Sequence, residues 1–152
     1  MRESSVGIHP KGLFKVRLIR NTSICPSKTH DGDAGFDVFN DSGDVVLWPG
    51  RKLFRLGFAI ELPPGWMAMI QEKSGLALNQ GIFTMGNVID SSYRGECHAI
   101  LFRTVLWPVK VRQGQKIAQM LIMPCYTEPQ FHVVKELSDT SRKAGGFGST
   151  GL

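Results

Sequence analysis

The sequence predicts an all-β domain, on two observations. The 17 glycines and 8 prolines of the 152-residue chain interrupt it so often that the longest stretch free of both, residues 130–144, is 15 residues. Helical bundles, coiled coils and solenoids need longer unbroken periodic segments and are excluded. Between the breaks lie short runs rich in β-branched and aromatic residues, spaced as strands and turns are spaced. Many short strands without helical periodicity build a β-sandwich, a barrel or a jelly roll, and the length is that of one compact domain.

The first run is residues 14–20, where Phe14, Val16 and Leu18 alternate with Lys15 and Arg17, the pattern of a half-buried strand. Further strands are expected at 45–48, 53–62, 66–71, 97–106, 109–112, 117–123 and 131–134. The single expected helix covers 74–80, with Ser74 capping its start and Gly81 ending it. The last twelve residues, 141–152, change character: Arg142 and Lys143 lead into Ala144-Gly145-Gly146-Phe147-Gly148-Ser149-Thr150-Gly151. Such a glycine-rich stretch cannot build a core and is expected to be a flexible arm following a folded domain of residues 1–140. A tail that only solvates has no use for the ring of Phe147, whereas glycine amides with two hydroxyls can wrap an anion.

Composition removes several classes. No apolar run approaches the roughly 18 residues of a membrane span, and no apolar segment follows Met1, so an intracellular, cytoplasmic protein is expected. The 18 Lys+Arg outweigh the 13 Asp+Glu to give +5, which suits anionic ligands. The basic residues are scattered rather than blocked, so direct nucleic-acid binding is not expected. Cys25, Cys97 and Cys125 have no short spacing, and His9, His30, His98 and His132 are equally dispersed, which supports neither disulfides nor a structural zinc.

Chemistry concentrates in a few segments. Residues 86–96 read Gly-Asn-Val-Ile-Asp-Ser-Ser-Tyr-Arg-Gly-Glu, a turn-rich stretch that sets Asp90 three residues before Tyr93. An Asp at a hairpin tip is either a turn former bonding its own backbone or a functional acid, and Asp37 is open to the same two readings. Ser74 and Gly75 open the helix, where free amides suit an anion and where a plain cap would look the same. No G-x-x-x-x-G-K-[ST] occurs, so the glycine-rich arm is no Walker A loop.

In order along the chain, Ala34-Gly35-Phe36-Asp37, Lys73-Ser74-Gly75-Leu76-Ala77, residues 86–96, Lys116-Ile117-Ala118-Gln119 and residues 142–151 resemble the five motifs of the homotrimeric deoxyuridine triphosphate nucleotidohydrolases, the dUTPases. The resemblance implies a distorted jelly-roll β-barrel and a homotrimer with shared active sites. It implies Mg²⁺-dependent hydrolysis of dUTP to dUMP and pyrophosphate, which limits uracil in DNA and supplies dUMP for dTTP synthesis. Carried over by motif, Asp90 would be the general base activating the water that attacks the α-phosphorus, its basicity raised in a closed site. Asp37 would hold Mg²⁺ indirectly through a coordinated water. Tyr93 would lie against the deoxyribose and exclude a 2′-hydroxyl. Backbone groups of Gly86, Asn87, Val88 and Ile89, taken as a hairpin strand edge, would read uracil. Lys73, Ser74, Gly75 and Gln119 would contact the phosphates, Arg142 the γ-phosphate, and Phe147, Gly148 and Ser149 would close over the substrate as a lid.

Three positions depart from the family pattern: Lys73 stands where Arg is usual and loses the two-pronged contact, Phe36 replaces Tyr or Leu, and Asn87 replaces Gly, with Asn expected to tolerate positive φ. The related dCTP deaminases share the fold but depend on a Glu just beyond the third motif, and residues 97–106 contain none. A regulatory or binding protein on the same fold, without turnover, is the remaining alternative.

Overall fold

A computed structural model describes residues 14–127 and 131–144. Its eleven strands and one helix run in the order β1 (Lys15–Leu18), β2 (Phe36–Phe39), β3 (Val45–Leu47), β4 (Gly50–Arg55), β5 (Phe58–Glu61), β6 (Trp66–Gln71), α1 (Ser74–Gln80), β7 (Ile82–Met85), β8 (Val88–Ile89), β9 (His98–Arg103), β10 (Val109–Val111) and β11 (Lys116–Pro124). A four-stranded sheet has the order β2-β11-β6-β8 and a three-stranded sheet β4-β9-β7, with β1-β5 and β3-β10 as additional pairs. All pairings are antiparallel.

One hydrophobic cluster draws on both larger sheets: Val38, Ala68, Ile70, Ile89 and Met120 from the first, Phe54, Ile82, Ala99 and Leu101 from the second. Side chains alternate along each strand, so the four-stranded sheet has an opposite face carrying Asp37, Gln71 and Gln119 in one cross-strand row. The core residues therefore fix the register that lines these polar groups up.

The expected strands mostly form, with five differences. The run at 14–20 forms β1, but all four residues of the strand are exposed, so the expected half-burial is not met on the single chain. Residues 53–62 break at Gly57, whose φ of +77° turns the chain between β4 and β5. The run at 97–106 stops at Arg103, a buried residue whose guanidinium donates to the carbonyls of Trp107 and Gln80 and so ties the following loop to the end of α1. Strands β2 and β7 arise where none was anticipated. Residues 131–134 form no strand, and Phe131 (93% exposed) and Val133 (101%) find no sheet to join among the described residues. Alternation alone makes no strand without a partner edge.

The helix has the expected bounds but a different cap at its start. Lys73, extended at φ −91° and ψ 129°, is the N-cap residue without a side-chain cap bond, and Ser74 is the first helical residue. Gly81 closes the helix in the left-handed conformation, its N–H reaching the carbonyls of Ala77 and Leu76. Among the described residues no helix is long and apolar enough to cross a membrane.

Candidate active site

Two groups of polar residues lie in separate clefts. In the first, Asp37 of β2 is opposite Gln119 of β11, which is opposite Gln71 of β6. Asp37 is only 6% exposed, and burial by itself would raise its pKa. Three donors overrule burial: Lys116 Nζ lies 2.7 Å from Oδ2, Lys73 Nζ pairs with Oδ1, and Thr29 Oγ1 donates to Oδ2 at 2.9 Å. The carboxyl is thereby lowered to about 2. Lys116 Nζ also donates to Thr29 Oγ1 at 2.8 Å. Gln119 donates Nε2–H to the Glu72 carbonyl at 2.9 Å, holding its amide beside the start of α1.

These residues border two adjoining open clefts of about 400 and 440 Å³, which share Lys73, Lys116 and Gln119. Ser74 and Gly75 line one, Thr29 and Asp37 the other. The structure thus brings together Asp37, Lys73, Ser74, Gly75 and Gln119, which lie up to 82 residues apart in sequence. Lys116 and Thr29 belong to the same constellation and were not singled out from the sequence. Lys116 stood in view as the first residue of its motif, whereas Thr29 carries no pattern signal.

The second group is Gly86, Asn87, Val88, Ile89, Asp90 and Tyr93. Strand β8 pairs with β6 through Ala68–Ile89 and Met69–Val88, the Ile70 N–H reaches the Asn87 carbonyl at 2.9 Å, and the other side of β8 is a sheet edge. The unpaired edge expected for reading a base is therefore present, but it is not part of a hairpin. Strand β7 pairs with β9 in the other sheet, and residues 86–87 carry the chain from one sheet to the other. Positive φ is taken by Gly86 at +61°, and Asn87 has none, so tolerance of that conformation is not what admits Asn there. The buried Asn87 Oδ1 has no hydrogen-bond partner among the described residues.

Asp90 is exposed on the single chain. Its carbonyl accepts the Tyr93 N–H at 3.1 Å and closes the turn. A cleft of about 190 Å³ is bordered by Gly86, Val88, Ile89, Asp90 and Tyr93, with Glu96, Cys97 and His98 beside them. Cys97 is buried in this wall, its N–H given to the Phe58 carbonyl at 2.7 Å. Burial pushes its thiol up to about 12, which makes it a packing residue rather than a nucleophile.

The two groups do not meet on one chain. From β2 to β8 is three strand spacings, about 14 Å, and the offset from Gln71 to Ala68 along β6 adds about 10 Å in the perpendicular direction. Asp37 and Ile89 are therefore roughly 17 Å apart along the sheet. Arg142 is exposed in a turn at 141–144, and Phe147, Gly148 and Ser149 lie outside the described residues.

An all-β domain with two ammonium groups converging on one cleft, and an exposed carboxylate beside a free strand edge at another, defines a protein with one cleft suited to an anionic ligand and a second beside it on the same sheet. The dUTPase family model matches residues 21–151. The chain is 41% identical over 142 residues to the deoxyuridine 5′-triphosphate nucleotidohydrolase of Clostridioides difficile, covering 91% of this chain and 98% of that one. It is 39% identical over 137 residues to the protein of the same name from Paramecium bursaria Chlorella virus 1, covering 90% and 96%. The fold is similar to that of the Staphylococcus bacteriophage 80alpha dUTPase in complex with dUpNHpp, with a TM-score of 0.82 at 24% identity, covering 92% and 99% of the two chains. The chain belongs to the dUTPase family.

Proposed function

We propose that this chain is a dUTP diphosphatase, cleaving dUTP with one water to dUMP and pyrophosphate. The observation that carries the reading is the division of the family's motif residues into two clefts, with Asp37 and Ile89 about 17 Å apart on one chain. A site shared between subunits of a trimer joins such halves: Asp37, Lys73, Ser74, Gly75 and Gln119 from one subunit, the edge of β8 with Asp90 and Tyr93 from a neighbour, and residues 141–152 from the remaining one as a closing arm.

In that arrangement Asp90 takes a proton from the attacking water, the oxygen bonds to the α-phosphorus, and the bond to the bridging oxygen of the β-phosphate breaks. Lys73 and Lys116 offer their charge to the phosphate chain and Gln119 its amide, while Gly86, Asn87, Val88 and Ile89 present backbone donors and acceptors to uracil. Tyr93 gives the sugar an apolar wall, against which a 2′-hydroxyl has no partner.

The residues around Asp37 fit an outer-sphere role toward Mg²⁺. Its carboxylate is held ionised, and both oxygens are already engaged by Lys73, Lys116 and Thr29. Among the described residues no cluster of three acids, histidines or cysteines forms a cage. Such a set suits a cation that keeps its own waters and takes its other ligands from phosphates. Bound Mg²⁺ would neutralise charge on the triphosphate, and Asp37 would accept from one of its waters, with a lysine ammonium yielding the position. Removing dUTP inside the cell limits uracil in DNA and provides dUMP for dTTP synthesis.

Incubating the protein separately with dUTP and dCTP tests the reading. Pyrophosphate and dUMP from dUTP are expected. Ammonia from dCTP would show a deaminase instead, and no product from either would show a binding protein.

A further inference from the structure

The ring that the proposed function sets against the deoxyribose is held from behind. Tyr93 folds back over its own turn and donates its hydroxyl to the Glu96 carbonyl at 2.9 Å. The ring covers Gly95 so closely that a methyl built there would overlap Oη and come within 2.5 Å of Cζ and 2.9 Å of Cε2. Gly95 is not among the positive-φ glycines. The backbone at position 95 does not need glycine, and the three atoms that an added methyl would meet first all belong to the Tyr93 side chain.

The carbonyl that receives the Tyr93 hydroxyl is itself anchored. Arg20 grips the Glu96 carboxylate with both terminal nitrogens, Nη1 and Nη2 to Oε1 at 2.7 and 2.8 Å and Nη2 to Oε2 at 2.7 Å. Oε1 also accepts the Gly57 N–H at 3.2 Å. Arg20 Nη1 reaches back to Asp41 at 2.8 Å, a buried carboxylate that further accepts from Ser23, Thr22 and Gln113. With Arg20 at 30% and Glu96 at 18% side-chain exposure, the forked pair is partly withdrawn from water, where its planar geometry fixes position as well as charge.

We infer that Gly95 and the Arg20–Glu96 ion pair are positioning residues that fix the Tyr93 ring, and that through it they set how strongly the site prefers a 2′-deoxyribose to a ribose. The inference rests on the proposed role of Tyr93. A wall excludes a hydroxyl only if it cannot give way, and a ring free to swing by about 1 Å would admit the oxygen. Glycine at 95 lets the ring sit back against the chain, the Glu96 carbonyl holds its far end, and Arg20 holds Glu96.

The test measures kcat/KM for dUTP and for UTP on the same preparation of full-length protein, so that any inactive fraction cancels in the ratio. The proteins are wild type, Tyr93→Ala, Gly95→Ala, the double variant and Glu96→Gln. Gly95→Ala is expected to lower the dUTP-over-UTP preference roughly tenfold, and to lower it no further once the Tyr93 ring is gone. Glu96→Gln keeps an acceptor for Gly57 but loses the ion pair, and a reduction of several-fold is expected. If Tyr93→Ala collapses the preference while Gly95→Ala and Glu96→Gln leave it intact, the inference falls and the role of Tyr93 stands. If Tyr93→Ala leaves the preference unchanged, both fall. A Gly95→Ala effect of equal size with and without the ring would also overturn the inference, since the methyl would then be acting on something else.

Discussion

Two inactive variants should restore each other, by an amount that the division of the site determines. Asp90→Asn removes the proposed base but leaves the phosphate cleft whole, and Asp37→Asn does the reverse. Because Asp37 and Ile89, the residue before Asp90, are roughly 17 Å apart along one sheet, the proposed shared site takes Asp37 from one chain and Asp90 from its neighbour. In a closed ring of three containing both chain types, one junction in three places an intact Asp37 against an intact Asp90, whichever type is in excess. Random assembly from equal amounts makes about three quarters of trimers mixed, so about a quarter of all sites should work, and about a third in trimers purified through two different tags. The assay is pyrophosphate release per subunit, after refolding the variants together or co-expressing them, with native mass measured to verify mixed trimers. Mixed trimers with no more activity than the separate variants would mean that one chain supplies both carboxylates, and the shared-site reading would be wrong.

Asp90→Asn alone should lower turnover by about 10²–10⁴-fold while dUTP binding, followed by calorimetry, is largely kept. Lys73→Arg should change KM by a modest factor and leave the thermal midpoint in place, and loss of the trimer would make position 73 structural. Asp37 should make stability depend on acid pH. Its folded pKa of about 2 lies below the 3.8 of a free aspartate, so its contribution, up to about 2 kcal/mol, is complete above about pH 4 and is lost as pH falls through about 2. The difference between wild-type and Asp37→Asn melting curves isolates that term from the other carboxylates, and a difference constant from pH 6 to pH 2 would contradict it.

What the sequence revealed, and what it hid, follows from how local each signal was. The helix at 74–80 was legible because small residues and Gly81 mark it within a few positions, but its cap was not. A Ser before a helical run looks like a cap, and here the extended residue is Lys73, whose ammonium is drawn to Asp37. Strand β2 was hidden for a related reason. Phe-Asp-Val-Phe reads as an interrupted run until two lysines, 36 and 79 residues further on, make a buried carboxylate tolerable. The same range hid Lys116 and the Arg20–Glu96 pair, whose members are 76 residues apart. The run at 131–134 shows the opposite error: its apolar pattern was real, but a strand also needs an edge, and local pattern cannot supply one. The five motif segments were legible as chemistry only in combination, because each alone had an ordinary structural explanation.

Asp37 and Asp90 carry the same functional group, and the fold prepares them for different work. Asp37 receives donors on both oxygens, and a carboxyl held near 2 has too little proton affinity to act as a base near neutral pH. It holds two ammonium groups at the mouth of a cleft, which in the proposed site would trade a carboxylate for a phosphate. Asp90 is exposed, and the described residues give its carboxylate no hydrogen bond; only its carbonyl is engaged, in the turn to Tyr93. Its environment is left to whatever covers it. In the proposed shared site, a base that a neighbouring subunit, the arm and the substrate complete would be shielded from water only when substrate is present, which would couple proton transfer to occupancy of the site.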